Sequence, residues 1–412
     1  MFFKENQSKN IVQPVKVFII TKEPFPKGMA STHRITDYAK GLNINNVDCE
    51  VIIAKRTEFP WKEIRNNESS GIFEGVKFRY IPNTVFRHKN RFVRILNDYI
   101  DYIRTFLFCI KHLKKGDIVI NMFLAQVLAL YTIFAAKLKG ASIIRELNEY
   151  PYATRKPGII RLLKQFIELH FIFHLYDGFI VISTALRDIA QKHKSSGAQI
   201  IQVPILANVE MYNQYLLNTK NIEIKEPYIF HPGTLTERKD GILSSLRAFA
   251  MAIKKIDFPI KYILAGPVSP IQGAINKIIE ESNLQNKVII YNTLSREDVI
   301  WYLKHAALAI LNKVDNIQNK CGFSTKLGEI LLSETPVITT TVGEAKYWLK
   351  DQESAYIVDP HKPELIADKI VQAFLNHEER TMIAKNGKKI AEEMFNHNHQ
   401  AQRLKLFFET LS

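Results

Sequence analysis

The sequence predicts an α/β protein built from two doubly wound parallel-sheet halves, and three observations predict it. The first is length: 412 residues exceed the roughly 250 to 300 at which a single hydrophobic core stops growing. The second is pattern, since short β-branched runs alternate with amphipathic stretches from Val17 almost to the end, as βα units do. The third is that the alternation comes in two series. Strands are expected at 17–21, 50–54, 117–120, 141–145, 178–182 and 200–203, then at 228–231, 261–265, 287–291, 308–311, 336–340 and 355–358. Between them, 204–227 loses clear periodicity and is rich in Asn, the mark of a linker. The domains expected are therefore 1–206 and 207–395, with 396–412 as a C-terminal helix packing back toward the first. The stretch 379–411 reads as helix throughout, with a weak point at 396–398.

Composition sets further bounds. A hydrophobic fraction of 46% with 24% charged residues is that of a chain that folds throughout. Cys49, Cys109 and Cys321 are odd in number and widely spaced, which argues against a disulfide framework or a structural zinc site and for a reducing compartment. The first fourteen residues carry Lys4, Glu5 and Lys9 before any apolar run and do not read as a secretory signal. The low-charge stretch 118–136 is interrupted by Asn121, Gln126 and Thr132, and reads as a strand and a buried helix rather than a membrane span. A cytoplasmic protein is expected. Its net charge of +15 is unevenly placed: residues 1–200 hold 31 Lys and Arg against 17 Asp and Glu, and the remainder 25 against 24. Such asymmetry points to a polyanionic partner, nucleic acid or an anionic membrane leaflet.

Missing signatures narrow the chemistry. No two of the 17 glycines are two positions apart, so no GxGxxG exists, and no GK[ST] occurs; a dehydrogenase or P-loop ATPase is disfavoured. No Asp-x-Asp occurs, so a metal-diphosphate motif is absent and no metal or other cofactor is expected.

The segment from Gly322 through Phe323, Ser324, Thr325, Lys326, Leu327 and Gly328 to Glu329 carries the strongest signal. A glycine-containing loop ends in Ser324 and Thr325, both natural N-cap residues, and opens a short helix whose amides and dipole favour an anion such as a diphosphate. Lys326 adds a positive charge there. Glu329, one turn on, can accept hydrogen bonds from two adjacent ribose hydroxyls. On its residues alone, the segment also reads as a capped helix with a surface Lys and Glu.

This segment closely resembles the donor-site motif of the retaining family 4 of GT-B glycosyltransferases, in the variant where Thr-Lys-Leu-Gly-Glu precedes a Pro-Val-Ile strand. A second block, His231-Pro-Gly-Thr-Leu-Thr-Glu-Arg-Lys239, is similar to the family's strand, glycine turn and phosphate-contacting lysine. Gly233 permits close backbone approach, while Arg238 and Lys239 are placed to neutralise a leaving diphosphate. Further matches run in the family's order. Gly28 lies in Phe25-Pro-Lys-Gly-Met-Ala-Ser-Thr-His-Arg34, like the loop that meets the donor across the cleft. Asn148-Glu-Tyr-Pro151 follows a strand where many relatives have His-Asp, and Leu264-Ala-Gly-Pro267, with Gly266, resembles the second strand of the C-terminal domain. Gly343 and Glu344 match a later loop.

The resemblance implies two Rossmann-like domains with a donor cleft between them. It implies Lys239, Arg238 and Lys326 as the catalytic cations, and Gly28, Gly233, Thr234, Gly266, Phe323, Ser324, Thr325, Leu327 and Glu329 as donor-binding residues. His33, Asn148 and Glu149 fall on the acceptor side. The implied reaction is metal-independent hexosyl transfer from a nucleotide diphosphate sugar, with retention, to a lipid-linked or oligosaccharide acceptor in surface polysaccharide biosynthesis. Departures accompany it. Where the family has two glutamates eight positions apart, the first falls on Cys321; Thr234 stands where many members place arginine, and Asp240 where they have glycine. Asn148 in place of His removes a possible acid/base group, but the family's front-face substitution lets the departing diphosphate take the acceptor proton. A sugar-nucleotide epimerase of the same fold, or a catalytically silent membrane-associated binding protein, remains as an alternative.

Other features stand apart from this site. His170 and His174 have a zinc-compatible i, i+4 spacing but no nearby ligands, and read as an ordinary helical face. Basic clusters at 87–94 and 111–115 bracket an apolar stretch, and Arg155, Lys156, Arg161 and Lys164 mix with Ile159, Ile160, Leu163, Phe166 and Ile167. Most of these apolar residues are expected to cover a sheet, with the basic ends free to touch an anionic membrane surface peripherally and reversibly. No nucleic acid is expected as a partner, since no aromatic stacking motif accompanies the charges.

Overall fold

Four successive apolar residues in Val17-Phe-Ile-Ile20, and the run 118–122, apolar but for Asn121, are all buried, which suits strands covered on both faces, as parallel sheets are built. The computed structural model describes residues 15–122, 125–151, 158–217, 224–233, 235–267 and 271–411. The first series runs β1 (Lys16–Thr21), α1 (Ala30–Ile44), β2 (Asp48–Ile53), β3 (Ser70–Phe73), β4 (Val76–Tyr80), α2 (Arg91–His112), β5 (Ile118–Met122), α3 (Gln126–Lys139), β6 (Ser142–Leu147), α4 (Ile159–Ile167), β7 (Gly178–Val181), α5 (Thr184–His193) and β8 (Gln199–Gln202). Its eight strands lie in the order β3-β4-β2-β1-β5-β6-β7-β8. β4 pairs parallel with β2, and β3 pairs antiparallel with β4.

The second series runs α6 (Val209–Leu217), β9 (Tyr228–Pro232), α7 (Glu237–Asp240), α8 (Ile242–Ala252), β10 (Lys261–Ala265), α9 (Gln272–Glu281), β11 (Val288–Tyr291), α10 (Arg296–His305), β12 (Leu308–Leu311), α11 (Ile317–Cys321), α12 (Thr325–Leu332), β13 (Val337–Thr340), α13 (Ala345–Trp348) and β14 (Tyr356–Val358). Three helices follow: α14 (Pro363–Leu375), α15 (His377–Met394) and α16 (His397–Glu409). The sheet order is β11-β10-β9-β12-β13-β14, and every pairing in it is parallel. From β9 the chain builds outward through β10 and β11, then returns to β12 on the other side. The order thus reverses between β9 and β12, and in open α/β sheets ligands sit outside the carboxyl ends of strands at such a point. Ile229, Leu246, Phe249, Tyr262, Leu264 and Ile275 belong to the core beneath it.

The chain forms two compact units, one of Met1–Ile144 with Lys405–Ser412 and one of Arg145–Leu404. In the first, Lys405 donates to the Asn45 carbonyl at 3.3 Å and Ser142 to that of Leu411 at 3.0 Å, which ties the C-terminal residues to it.

The strands fall within two residues of their predicted bounds, and the helix break predicted at 396–398 separates α15 from α16. Four expectations need correction. The β3–β4 hairpin was not foreseen; Glu74 and Gly75 turn it at φ 47° and 80°, the left-handed pair a two-residue hairpin requires. The stretch expected as a linker contains α6, and Ala207 pairs with Asn396. His170 and His174 do not share a regular helix: the first lies in a π-helical turn, Glu168–Ile172, and the second in a 3-10 turn, Phe173–Leu175. Lastly, the apolar residues of α4 do not cover a sheet, for none of its residues is buried, and much of the apolar surface of α2 also faces outward. Arg155 and Lys156 lie outside the described residues. Among those described, no helix is long and apolar enough to cross a membrane.

Candidate functional site

The residues singled out around Gly233 and Lys326 meet at the switch point of the six-stranded sheet. β9 is buried along its whole length and ends in Pro232, with Gly233 directly after it. Gly233 has φ 150°, a conformation that side chains disfavour, and a Cβ there would stand 2.6 Å from the Lys326 Nζ. Lys326 reaches this gap from the first turn of α12. Burial pushes its pKa down to about 8; Asp240 opposes that shift, and Lys313 and Lys239 add to it.

Ser324 occupies the N-cap position of α12, but its side chain makes no capping hydrogen bond. The expected cap is thus one of position only, and the first amides of the helix are left without a side-chain acceptor, as an anion-binding terminus needs. Thr325 is the first helical residue. Leu327 is buried in the core, and the Phe323 ring packs edge-on against Phe395 at 5.5 Å and parallel to Trp348 at 6.5 Å. These two side chains anchor the segment. Glu329 lies one turn beyond Lys326, with Oε1 3.7 Å from Arg296 Nη2 and both side chains about one third exposed. Burial raises its pKa, with Arg296 and Lys326 opposing.

Arg238 and Lys239 belong to the single turn of α7, where Thr236 accepts a hydrogen bond from the Lys239 amide at 3.3 Å. The Lys239 side chain is exposed and that of Arg238 partly so. Behind them, Asp240 is buried and paired with Lys313 at 2.6 Å. Burial alone would raise the Asp240 carboxyl, but Lys313, Lys326 and His231 together hold it below its usual range. His231 is buried, shares a hydrogen bond with the Tyr262 hydroxyl at 3.1 Å, and has its pKa lowered to about 4 by burial; it is neutral at pH 7.

Four residues of this assembly were not foreseen. Lys313 supplies the buried counterion to Asp240. Asn312 donates to the Gly241 carbonyl at 3.0 Å and to Ser245 at 3.1 Å. Asn316 caps α11 and donates to the carbonyl of Arg238 at 2.8 Å, while Asn319 donates to that of Lys239 at 3.0 Å. Together they clamp the turn that carries the two outer cations. Two sequence signals bear on them: Asn312 and Lys313 directly follow a buried strand at its carboxyl end, and Asn316 is an N-cap type residue.

The other candidates are placed as follows. Gly266 directly follows β10 with φ 143°, and its amide donates to the Tyr291 carbonyl at 2.8 Å. Thr234 lies outside the described residues. Cys321 is buried, its thiol pushed up to about 11 by burial, and its carbonyl accepts from Ser183 at 2.7 Å; it brings no carboxylate to the site. Asn148, just after β6, is bonded to the buried Glu146, and Glu149 is exposed. Glu344 accepts from the Thr184 amide at 2.7 Å and from Trp348 at 3.1 Å. In the first unit, Gly28 is confined sterically, since a Cβ would stand 2.0 Å from Thr32 Oγ1, which itself donates to the Pro24 carbonyl at 2.7 Å. His33 is exposed on α1.

The arrangement is a cationic cluster, with a helix terminus, a half-buried lysine and two outer cations near one strand end. Its chemistry is the holding of a polyanion. Residues 217–390, which include this assembly, match the family model described as glycosyl transferases group 1. No curated protein matches the chain in sequence. Similar solved structures include a glycosyltransferase of Rickettsia africae, 16% identical with a TM-score of 0.70 over 97% of this chain and 99% of that one. The sucrose-phosphate synthase of Thermosynechococcus elongatus is 15% identical with a TM-score of 0.69, covering 96% and 99%. HepE of Anabaena, solved with UDP and glucose, is 13% identical with a TM-score of 0.68, covering 96% and 100%. The fold is GT-B.

Proposed function

We propose that the protein transfers a hexose-type sugar from a nucleotide diphosphate donor to a glycan acceptor, with retention of anomeric configuration and without a metal ion. The observation that supports this most is the Lys326 ammonium set against Gly233 at the start of α12, with Lys239 and the Asp240–Lys313 pair around it. When the glycosidic bond breaks, its electron pair stays on the leaving phosphate oxygen, so negative charge grows on the diphosphate. Lys326, Lys239, Arg238 and the helix terminus stabilise that charge more in the transition state than in the ground state. The departing diphosphate takes the proton of the acceptor hydroxyl on the same face, and no buried base is needed. Glu329 holds the ribose hydroxyls.

HepE of Anabaena was solved with UDP and glucose, which makes UDP-glucose the first donor to try. The acceptor in this reading is lipid-linked, part of a surface polysaccharide assembled on the cytoplasmic face of an anionic membrane that the basic first half approaches peripherally. NMR of the product formed in EDTA tests the reaction: a glycoside with the donor's anomeric configuration supports it, and an inverted product, or activity only with added divalent metal, contradicts it. The absence of a carboxylate at Cys321 favours a silent binding protein as the second reading, for which donor would bind but be neither transferred nor hydrolysed. An epimerised sugar nucleotide formed without acceptor would instead identify an epimerase.

A further inference from the structure

Helix α2 is apolar on two sides. Tyr102, Thr105 and Cys109 are buried, whereas Phe92, Leu96, Tyr99, Ile103 and Leu107 recur at spacings of three and four and are exposed, Phe92 to 82%. α3 repeats the pattern: Val127, Leu130, Phe134 and Leu138 form one exposed stripe. Phe106 of α2 stacks on Phe134 at 6.0 Å and meets Tyr131 at 6.1 Å, which joins the two stripes into one face of the first unit. Monomeric soluble proteins rarely leave such a contiguous apolar face uncovered, and one rimmed by polar residues marks an interaction site.

The exposed charges on these helices have one sign. Arg91, Arg104, Lys111, Lys114, Lys115 and Lys137 are exposed on the two helices or just beyond the end of α2. The only carboxylates of α2 are Asp98, paired with Arg87 at 2.9 Å, and Asp101, paired with Arg56 at 3.0 Å, and α3 has none. A second copy of the chain docked symmetrically on this face would set the basic groups against their own kind. An anionic bilayer meets both demands, acyl chains for the stripes and headgroups for the cations.

We propose that the α2–α3 face is a membrane-docking surface, which seats its apolar stripes in the interfacial layer of an anionic bilayer with the Lys and Arg side chains among the headgroups. This deepens the reading above, on which it rests for the location of the acceptor. The test is co-sedimentation of the full chain with phosphatidylcholine vesicles, with and without phosphatidylglycerol. The wild type should bind the anionic vesicles at least ten-fold more tightly and be released progressively by salt, as expected where each basic group contributes roughly five-fold.

Leu96→Glu combined with Phe134→Glu changes only exposed side chains. It should weaken anionic-vesicle binding at least ten-fold while thermal melting and stabilisation by UDP-glucose stay as in the wild type. Lys114→Gln with Lys115→Gln should weaken binding less and flatten its salt dependence. If the wild type binds and the Leu96→Glu, Phe134→Glu variant binds as tightly, this surface is overturned and the membrane location stands. If the wild type binds no vesicle, both fail, whatever the response to UDP-glucose. If light scattering shows a dimer that this variant dissolves, a second copy covers the face and the membrane proposal is overturned.

Discussion

Lys326 and Gly233 are 93 positions apart in sequence, yet the Lys326 ammonium occupies the space that a Cβ on residue 233 would need, 2.6 Å from its position. The glycine is therefore required twice, for its φ of 150° and for the room it leaves. Gly233→Ala should cost at least about 1 kcal/mol of stability, because alanine is strained where φ is positive. Lys326 ends in a flexible chain, so the variant should fold with its ammonium displaced. A folded Gly233→Ala protein that binds nucleotide sugar as the wild type does would show that the gap is incidental.

The pKa of Lys326 links this site to pH. Its folded value, lowered to about 8, lies below the unfolded value near 10.4. The unfolded state then binds more protons between these values, so the group's contribution to stability rises as pH climbs through that window. Below pH 8 the half-buried ammonium is a cost, on the order of 1 to 3 kcal/mol. Lys326→Met should therefore melt higher than the wild type at pH 7 without donor, and the difference should vanish by about pH 10. Donor binding should run the other way, weakening in the wild type as pH passes 8, while Lys326→Arg, whose charge persists above pH 12, should stay flat. Melting curves and donor titrations at five pH values check both signs.

Asp240 and Lys313 form a buried pair at 2.6 Å. Asp240→Asn removes one charge and leaves the other buried, which typically costs about 3 to 5 kcal/mol. Because Asp240 also supports the protonated form of Lys326, the donor-binding midpoint of any variant that folds should move to lower pH. An unchanged midpoint would separate Asp240 from the site.

Lys239 and Glu329 are expected to differ in kinetics. Lys239→Ala should lower turnover by about 100 to 1000-fold, the equivalent of about 2.7 to 4 kcal/mol, if it matches the loss of one oxyanion donor. Glu329→Ala should mainly raise the Michaelis constant for donor, since ribose contacts change little during reaction. Lys326→Ala should fall between them, because the α12 terminus would still hold the phosphate. Near-wild-type turnover in both lysine variants would move the donor site elsewhere.

Local pattern made most of the architecture legible. Runs such as 261–265 and 308–311 are buried strands whose neighbours in sequence state their type, and Ser324 and Thr325 announce the start of α12. The β3–β4 hairpin escaped because its turn is Glu74-Gly75, not an Asn-Gly or Asp-Gly pair, and because β3 is largely exposed. Lys313, Asn316 and Asn319 escaped because what they grip lies 73 to 80 residues away; only the fold brings α7 to the end of β12. The outward faces of α2 and α4 escaped for another reason. Periodicity reports that a helix has an apolar side, but not what that side meets.

The central claim is that a nucleotide diphosphate sugar is held at the Gly233–Lys326 site, and thermal shift against UDP-, GDP-, ADP- and CMP-linked sugars tests it most directly. At 100 times its dissociation constant, the right donor should stabilise the wild type by about 2.7 kcal/mol, with EDTA present, and should stabilise Lys326→Met clearly less at pH 7. If no donor raises the melting temperature, or if Lys326→Met responds as the wild type does, the account of the site is contradicted.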